Sequence, residues 1–193
     1  NGTLTVTLSP ANAVAQGAAW SINSGATWFT SGAATNLAAG TYAVSFTNLT
    51  GWTAPASLSA VHVSSGGTTS TSGVYTAFLP SAARSITGTS VSVIVRAPAG
   101  VSTWELVETL PAGLTPISYT AGGAWNSGAH TLTFSGAEAT TNTFTYDVSC
   151  VTSGAYTVSG TVTPHPANVP VAVTGDSRII KANLIRTIRG NQV

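Results

Sequence analysis

Phe144-Thr145-Tyr146-Asp147-Val148-Ser149-Cys150 decides the fold class. Apolar and polar residues alternate along it, and a period of two marks a strand with one face in a core. Phe144, Tyr146, Val148 and Cys150 share that face. Cys150 is the chain's one cysteine, so it forms no internal disulfide and reads as a small buried hydrophobe.

The same alternation recurs on both sides. Upstream it runs through Leu4, Val6 and Leu8, then Tyr42, Val44 and Phe46, then Val61 and Val63, then Val74, Thr76 and Phe78. Nearer the quoted stretch it runs through Val91, Val93 and Val95, then Trp104 and Leu106, then Leu132 and Phe134. Downstream it returns in Tyr156, Val158 and Val162, and in Val169, Val171 and Val173. Turn clusters such as Asn23-Ser24-Gly25, Ser65-Gly66-Gly67 and Pro111-Ala112-Gly113 separate the runs. Short strands at this spacing predict sandwiches or barrels. The expected class is all-β: two tandem small β-sandwich domains with a short C-terminal tail.

Composition agrees. The 193 residues are 43% hydrophobic but only 6% charged, and the net charge is +1. Residues 1–83 hold no Asp, Glu, Lys or Arg. Ser, Thr, Ala and Gly replace the missing charge, as suits hydroxyl-faced sheets with glycine turns. So small a net charge supplies no field for nucleic acid. No run reaches the ~18 apolar residues that span a bilayer. A chain beginning at Asn1 reads as a processed product, and an extracellular or cell-surface place after signal-peptide removal is expected.

Charge separates 1–83, 84–175 and 176–193, and Pro80-Ser81-Ala82-Ala83 reads as a short linker. The expected organisation is therefore a domain at 1–79, a linker at 80–84, a second domain at 85–175 and a basic tail at 176–193. The tail carries Ile179, Ile180, Leu184, Ile185 and Ile188 beside Arg178, Lys181, Arg186 and Arg189. Its spacing fits either a short amphipathic helix or an extended arm. Such an apolar segment predicts a partner surface, with docking on its own domain as the plain alternative. If it completed a neighbour's sheet by strand addition, it would generate an open filament. The first strand, with Leu4, Val6 and Leu8, is a second candidate for that contact.

Candidate chemistry is sparse. Glu105 and Glu108 stand three apart, hence on opposite faces of one strand, and read as exposed solubilising charge. His62, His130 and His165 are scattered and read as surface residues. No zinc-ligand spacing, calcium loop, phosphate loop or nucleophile elbow is present. No enzyme, cofactor or metal is expected. Trp residues at small cores are ordinary, but Trp28 and Trp52 lie nearest turns and are the candidates for exposed sugar-stacking faces.

Two resemblances follow. Gly2-Thr3-Leu4-Thr5-Val6, Ala18-Ala19-Trp20-Ser21-Ile22, Gly25-Ala26-Thr27-Trp28, Leu37-Ala38-Ala39-Gly40-Thr41-Tyr42 and Gly51-Trp52-Thr53-Ala54-Pro55 make residues 2–79 resemble a PEGA-like β-repeat of bacterial extracellular proteins. Pro98-Ala99-Gly100-Val101, Glu108-Thr109-Leu110-Pro111-Ala112-Gly113, Gly123-Ala124-Trp125 and Gly154-Ala155-Tyr156-Thr157-Val158-Ser159-Gly160 make residues 85–176 similar to Ig-like repeats of bacterial surface proteins. The resemblances imply Ig-like sandwiches in an extracellular setting, used as spacers, displays or adhesive parts. The expectation is a non-catalytic subunit of a surface filament or other homopolymer. The alternative is a carbohydrate-binding or adhesive accessory module whose partner is a polysaccharide.

Overall fold

The computed structural model describes residues 1–182. Of these, 59% lie in strands and 3% in helix. The fold is all-β, as the alternation predicts. No helix among the described residues is long and apolar enough to cross a membrane.

The first half contains β1 (Gly2–Ser9), α1 (Ala11–Ala15), β2 (Ala19–Ser21), β3 (Phe29–Thr30), β4 (Ala34–Leu37), β5 (Gly40–Phe46), β6 (Trp52–Thr53), β7 (Leu58–Val63), β8 (Thr68–Val74) and β9 (Thr76–Ala77). Two sheets, ordered β4-β1-β8 and β3-β2-β5-β7, face each other, and β6 pairs with β9. Alternation in β1 sends Leu4, Val6 and Leu8 inward to meet Trp20, Val44, Phe46, Trp52 and Val63. β1 runs parallel to β8 from Thr3 beside Thr68 to Ser9 beside Val74, and antiparallel to β4 on its other side.

The second half contains β10 (Ser81–Thr87), β11 (Ser90–Arg96), β12 (Thr103–Thr109), β13 (Leu114–Tyr119), β14 (Ala124–Asn126), β15 (Thr131–Ala137), β16 (Thr141–Cys150), β17 (Gly154–Thr157), β18 (Ser159–His165), β19 (Val171–Ala172), β20 (Thr174–Gly175) and β21 (Arg178–Lys181). One five-stranded sheet is ordered β13-β16-β11-β10-β20 and the other β14-β15-β12-β18-β19. The deciding stretch lies in β16, and Phe144, Tyr146, Val148 and Cys150 all point into the second core. Cys150 is a free, buried thiol.

Two expectations need correction, and the open choice for the start of the tail falls to the extended form docked on its own domain. Residues 81–84, expected in the linker, form the first half of β10, because Ala82 and Arg84 share an inward face. The tail begins as strand β21, paired antiparallel to β17 from Arg178 beside Thr157 to Lys181 beside Gly154. Burial of Ile179, 0% exposed, drives this docking on its own domain. The partition between the two halves is also crossed: Ala167 and Val169, between β18 and β19, pack into the first core. The Asn12 amide secures that segment by donating to the carbonyls of Asn168 (3.1 Å) and Ala167 (3.4 Å).

Candidate functional site

The strongest acid–base constellation lies inside the second sandwich. β12 persists through Thr109, so Glu105 faces water while Glu108 follows Trp104 and Leu106 inward. Glu108 is 0% exposed, which corrects its reading as surface charge. Arg84, on β10 of the opposite sheet, meets it with two bonds: Nε to Oε2 at 2.7 Å and Nη2 to Oε1 at 2.7 Å. The Tyr146 hydroxyl, on β16, donates to Oε2 at 2.8 Å. Arg84 Nη1 donates to the carbonyls of Asp176 (3.0 Å) and Val158 (3.3 Å).

A buried charge pair is tolerable only when its remaining donors and acceptors are satisfied, and here they are. Burial pulls the guanidinium down, but the Glu108 carboxylate outweighs it, and Arg84 stays above its ordinary value. Burial and the neighbouring carboxylate push the Tyr146 phenol well above the usual tyrosine range. Space for the pair comes from Gly160, where a Cβ would stand 2.0 Å from Glu108 Oε1 and 2.9 Å from an Arg84 nitrogen. The cluster is an inter-sheet brace. Every member faces another member, and none faces water.

Elsewhere, ionisable groups are thinly spread. Asp147 accepts hydrogen bonds from Ser118 Oγ (2.6 Å) and Ser90 Oγ, and these hold its carboxyl below the ordinary value. A shallow groove of about 600 Å³ on the outer face of β12, β15 and β18 brings Glu105, Ser135 and His165 to one surface. His165 is tied there through Nδ1 to Asn168 Oδ1 at 2.6 Å. His62 is exposed on β7. His130 is half-buried, with Nδ1 enclosed and its ring edge-on to Trp125, so it is not the plain surface residue expected. Among the described residues no three His, Cys, Asp or Glu gather as metal ligands.

The two tryptophan candidates part company. Trp52 is 4% exposed and belongs to the first core, donating its indole N–H to Gln16 Oε1. It is no surface platform, because β6 turns the ring inward. Trp28 is 44% exposed. Ser21 and Asn23 fix its loop: Ser21 Oγ accepts from the amides of Asn23 and Gly25, and Asn23 Oδ1 accepts from the Thr27 amide. The indole lies against Gly25 (φ +89°), where a Cβ would come within 2.9 Å of the ring.

The candidate assembly residues also separate. Leu4, Val6 and Leu8 are core residues of a strand paired on both sides, so β1 offers no free edge in this fold. Ile179 is buried, whereas Ile180 is 64% exposed beside Arg178 and Lys181. Leu184, Ile185, Arg186, Ile188 and Arg189 lie outside the described residues. Sequence reading missed the Arg84–Glu108–Tyr146 brace. The inward parity of Glu108 was legible, but its counter-charge stands 24 positions away on another strand.

No protein-family model and no curated protein matches the chain. Among solved structures it is similar to the full-length major pilin SpaD from Corynebacterium diphtheriae, at 10% identity and TM-score 0.44, over 91% of this chain and 64% of that one. It is also similar to the C-terminal domain of the Streptococcus agalactiae AgI/II polypeptide BspA, at 7% identity and TM-score 0.38, over 74% of this chain and 59% of that one. A third is the collagen adhesin of S. aureus, at 11% identity and TM-score 0.33, over 74% and 57%. The chain thus spans less than two thirds of the length of each. At such identities these likenesses carry nothing about function.

Proposed function

We propose that the chain is a non-catalytic structural part of the bacterial cell surface, built to join copies of itself into a filament or similar polymer. One observation carries the reading. The residues best equipped for acid–base chemistry, Arg84, Glu108 and Tyr146, are sealed between two sheets and saturated by one another. Catalytic groups must reach a substrate, and these reach only each other and the backbone carbonyls of Val158 and Asp176.

Assembly follows from what remains outside. The first 83 residues carry no charge, so burying their surface strands no ion away from water. β21 leads out of the second sandwich with Ile180 exposed, and the aliphatic residues of 183–193 follow it. In this reading that segment docks on a neighbour and repeats head to tail. Electron microscopy of the full chain tests it: fibres are expected, and a chain ending at Ala182 should form none. The cut falls after Ala182 because Ile179 belongs to the core. Fibres of unchanged length and number from the shortened chain refute the tail contact.

A second reading rests on Trp28. An indole braced on one side by Gly25 and open on the other can stack on a sugar ring. Binding to surface polysaccharides that disappears in Trp28→Ala, with folding intact, favours an adhesive module over a purely structural one.

A further inference from the structure

Sheet edges normally carry a device against pairing with another chain: a charge, a proline, a bulge, or extreme shortness. Most edges here carry one. β13 has Pro116 and a register shift between Pro116 and Ser118. β19 follows Pro170 and, like β3 and β20, is two residues long, while β14 has three. β4 and β17 have four residues each, and β7 is interrupted by a register shift of its partner β5 between Tyr42 and Val44. β8 is the longest edge strand with neither charge nor proline, seven residues in unbroken register with β1. Its outward residues are Thr68, Ser70, Ser72 and Val74, the last 61% exposed.

The surroundings of β8 are equally bare. It borders a cleft of about 530 Å³ whose other wall is β7, with Leu58, Ala60, Val61, Thr69, Ser70 and Thr71 among its lining. Thr69 Oγ1 closes one end by donating to the His62 carbonyl at 2.9 Å. Beyond that bond, β7 and β8 do not pair with each other.

We infer that β8 is a self-association edge, pairing antiparallel with β8 of a second copy of this chain about a two-fold axis. This inference rests on the assembly reading above and adds a lateral contact to it. A strand meeting its own copy meets the same hydroxyls and the same valine, so both sides bury like against like. Backbone N–H and C=O groups left open at the edge gain partners. The basic tail is the poorer occupant, since the first 83 residues hold no acid to receive its arginines.

Analytical ultracentrifugation of the full chain tests this, with Ser70→Lys/Ser72→Lys as the variant and Thr143→Lys, on the central strand β16, as the charge control. The double variant should weaken pairing at least tenfold, and the control should stay within about twofold of the parent. Ser70→Cys should form a covalent dimer on mild oxidation. If the double variant pairs like the parent while keeping its melting temperature, the β8 contact is wrong and the tail-built filament stands. Pairing that survives removal of 183–193, yet still falls with the lysines, supports β8 even if fibres are lost. A parent that stays monomeric at every concentration overturns both.

Discussion

Arg84 and Glu108 join the two sheets of the second sandwich through paired 2.7 Å hydrogen bonds, with no water-facing atom between them. Removing one partner strands the other. Glu108→Ala should therefore cost ~3–5 kcal/mol, whereas Arg84→Met/Glu108→Leu should recover a good part of that loss. Urea unfolding followed by tryptophan fluorescence measures both. An unchanged midpoint in the single variant would remove the brace from the account.

Gly160→Ala tests the space the brace needs. The added methyl collides with Glu108 Oε1, and overpacking of this kind costs ~1–3 kcal/mol. In a Glu108→Ala background only the 2.9 Å approach to an Arg84 nitrogen remains, so the same substitution should cost less. Equal costs in both backgrounds would place the strain elsewhere on β18.

Tyr146 predicts an alkaline limit. Its phenol is held above the ordinary 10.0 by burial and by Glu108. A raised acid contributes stability that is complete below the unfolded value and is lost as pH climbs toward the folded one. Stability should thus fall above about pH 10, the ordinary tyrosine value. Tyr146→Phe should flatten that fall while costing ~1 kcal/mol at neutral pH for the lost hydrogen bond. Denaturation midpoints from pH 7 to 11 decide it; parallel curves for parent and variant contradict the assignment.

Trp52 and Trp28 should respond oppositely to truncation. Trp52→Ala empties part of the first core and should cost ~3–5 kcal/mol. Trp28→Ala removes a half-exposed ring and should leave the melting temperature within a few degrees of the parent. A large loss at Trp28 would make it a packing residue and end its candidacy as a sugar platform.

Much of this fold was legible because strands announce themselves locally. Period two in Leu4–Leu8, Val91–Val95 and Phe144–Cys150 places each side chain on a face, and the structure keeps those faces. What depended on distant partners was not legible. Glu108 could be assigned an inward direction but not a reason to stay there, because Arg84 arrives from another sheet. Trp52 sits beside Gly51 in a turn-rich stretch, yet β9 pairs with its strand and draws it inward. Ile179 and Ile180 are identical in sequence, and only pairing with β17 decides which is core and which is surface.

The segment carrying Ala167 and Val169 has a mechanical meaning. It plugs the second sandwich into the interior of the first, latched by the Asn12 amide. To swing one sandwich about the other, a load must first extract those two side chains. A bend applied at one end is therefore carried through to the other as by a stiff strut, where a loose tether would absorb it.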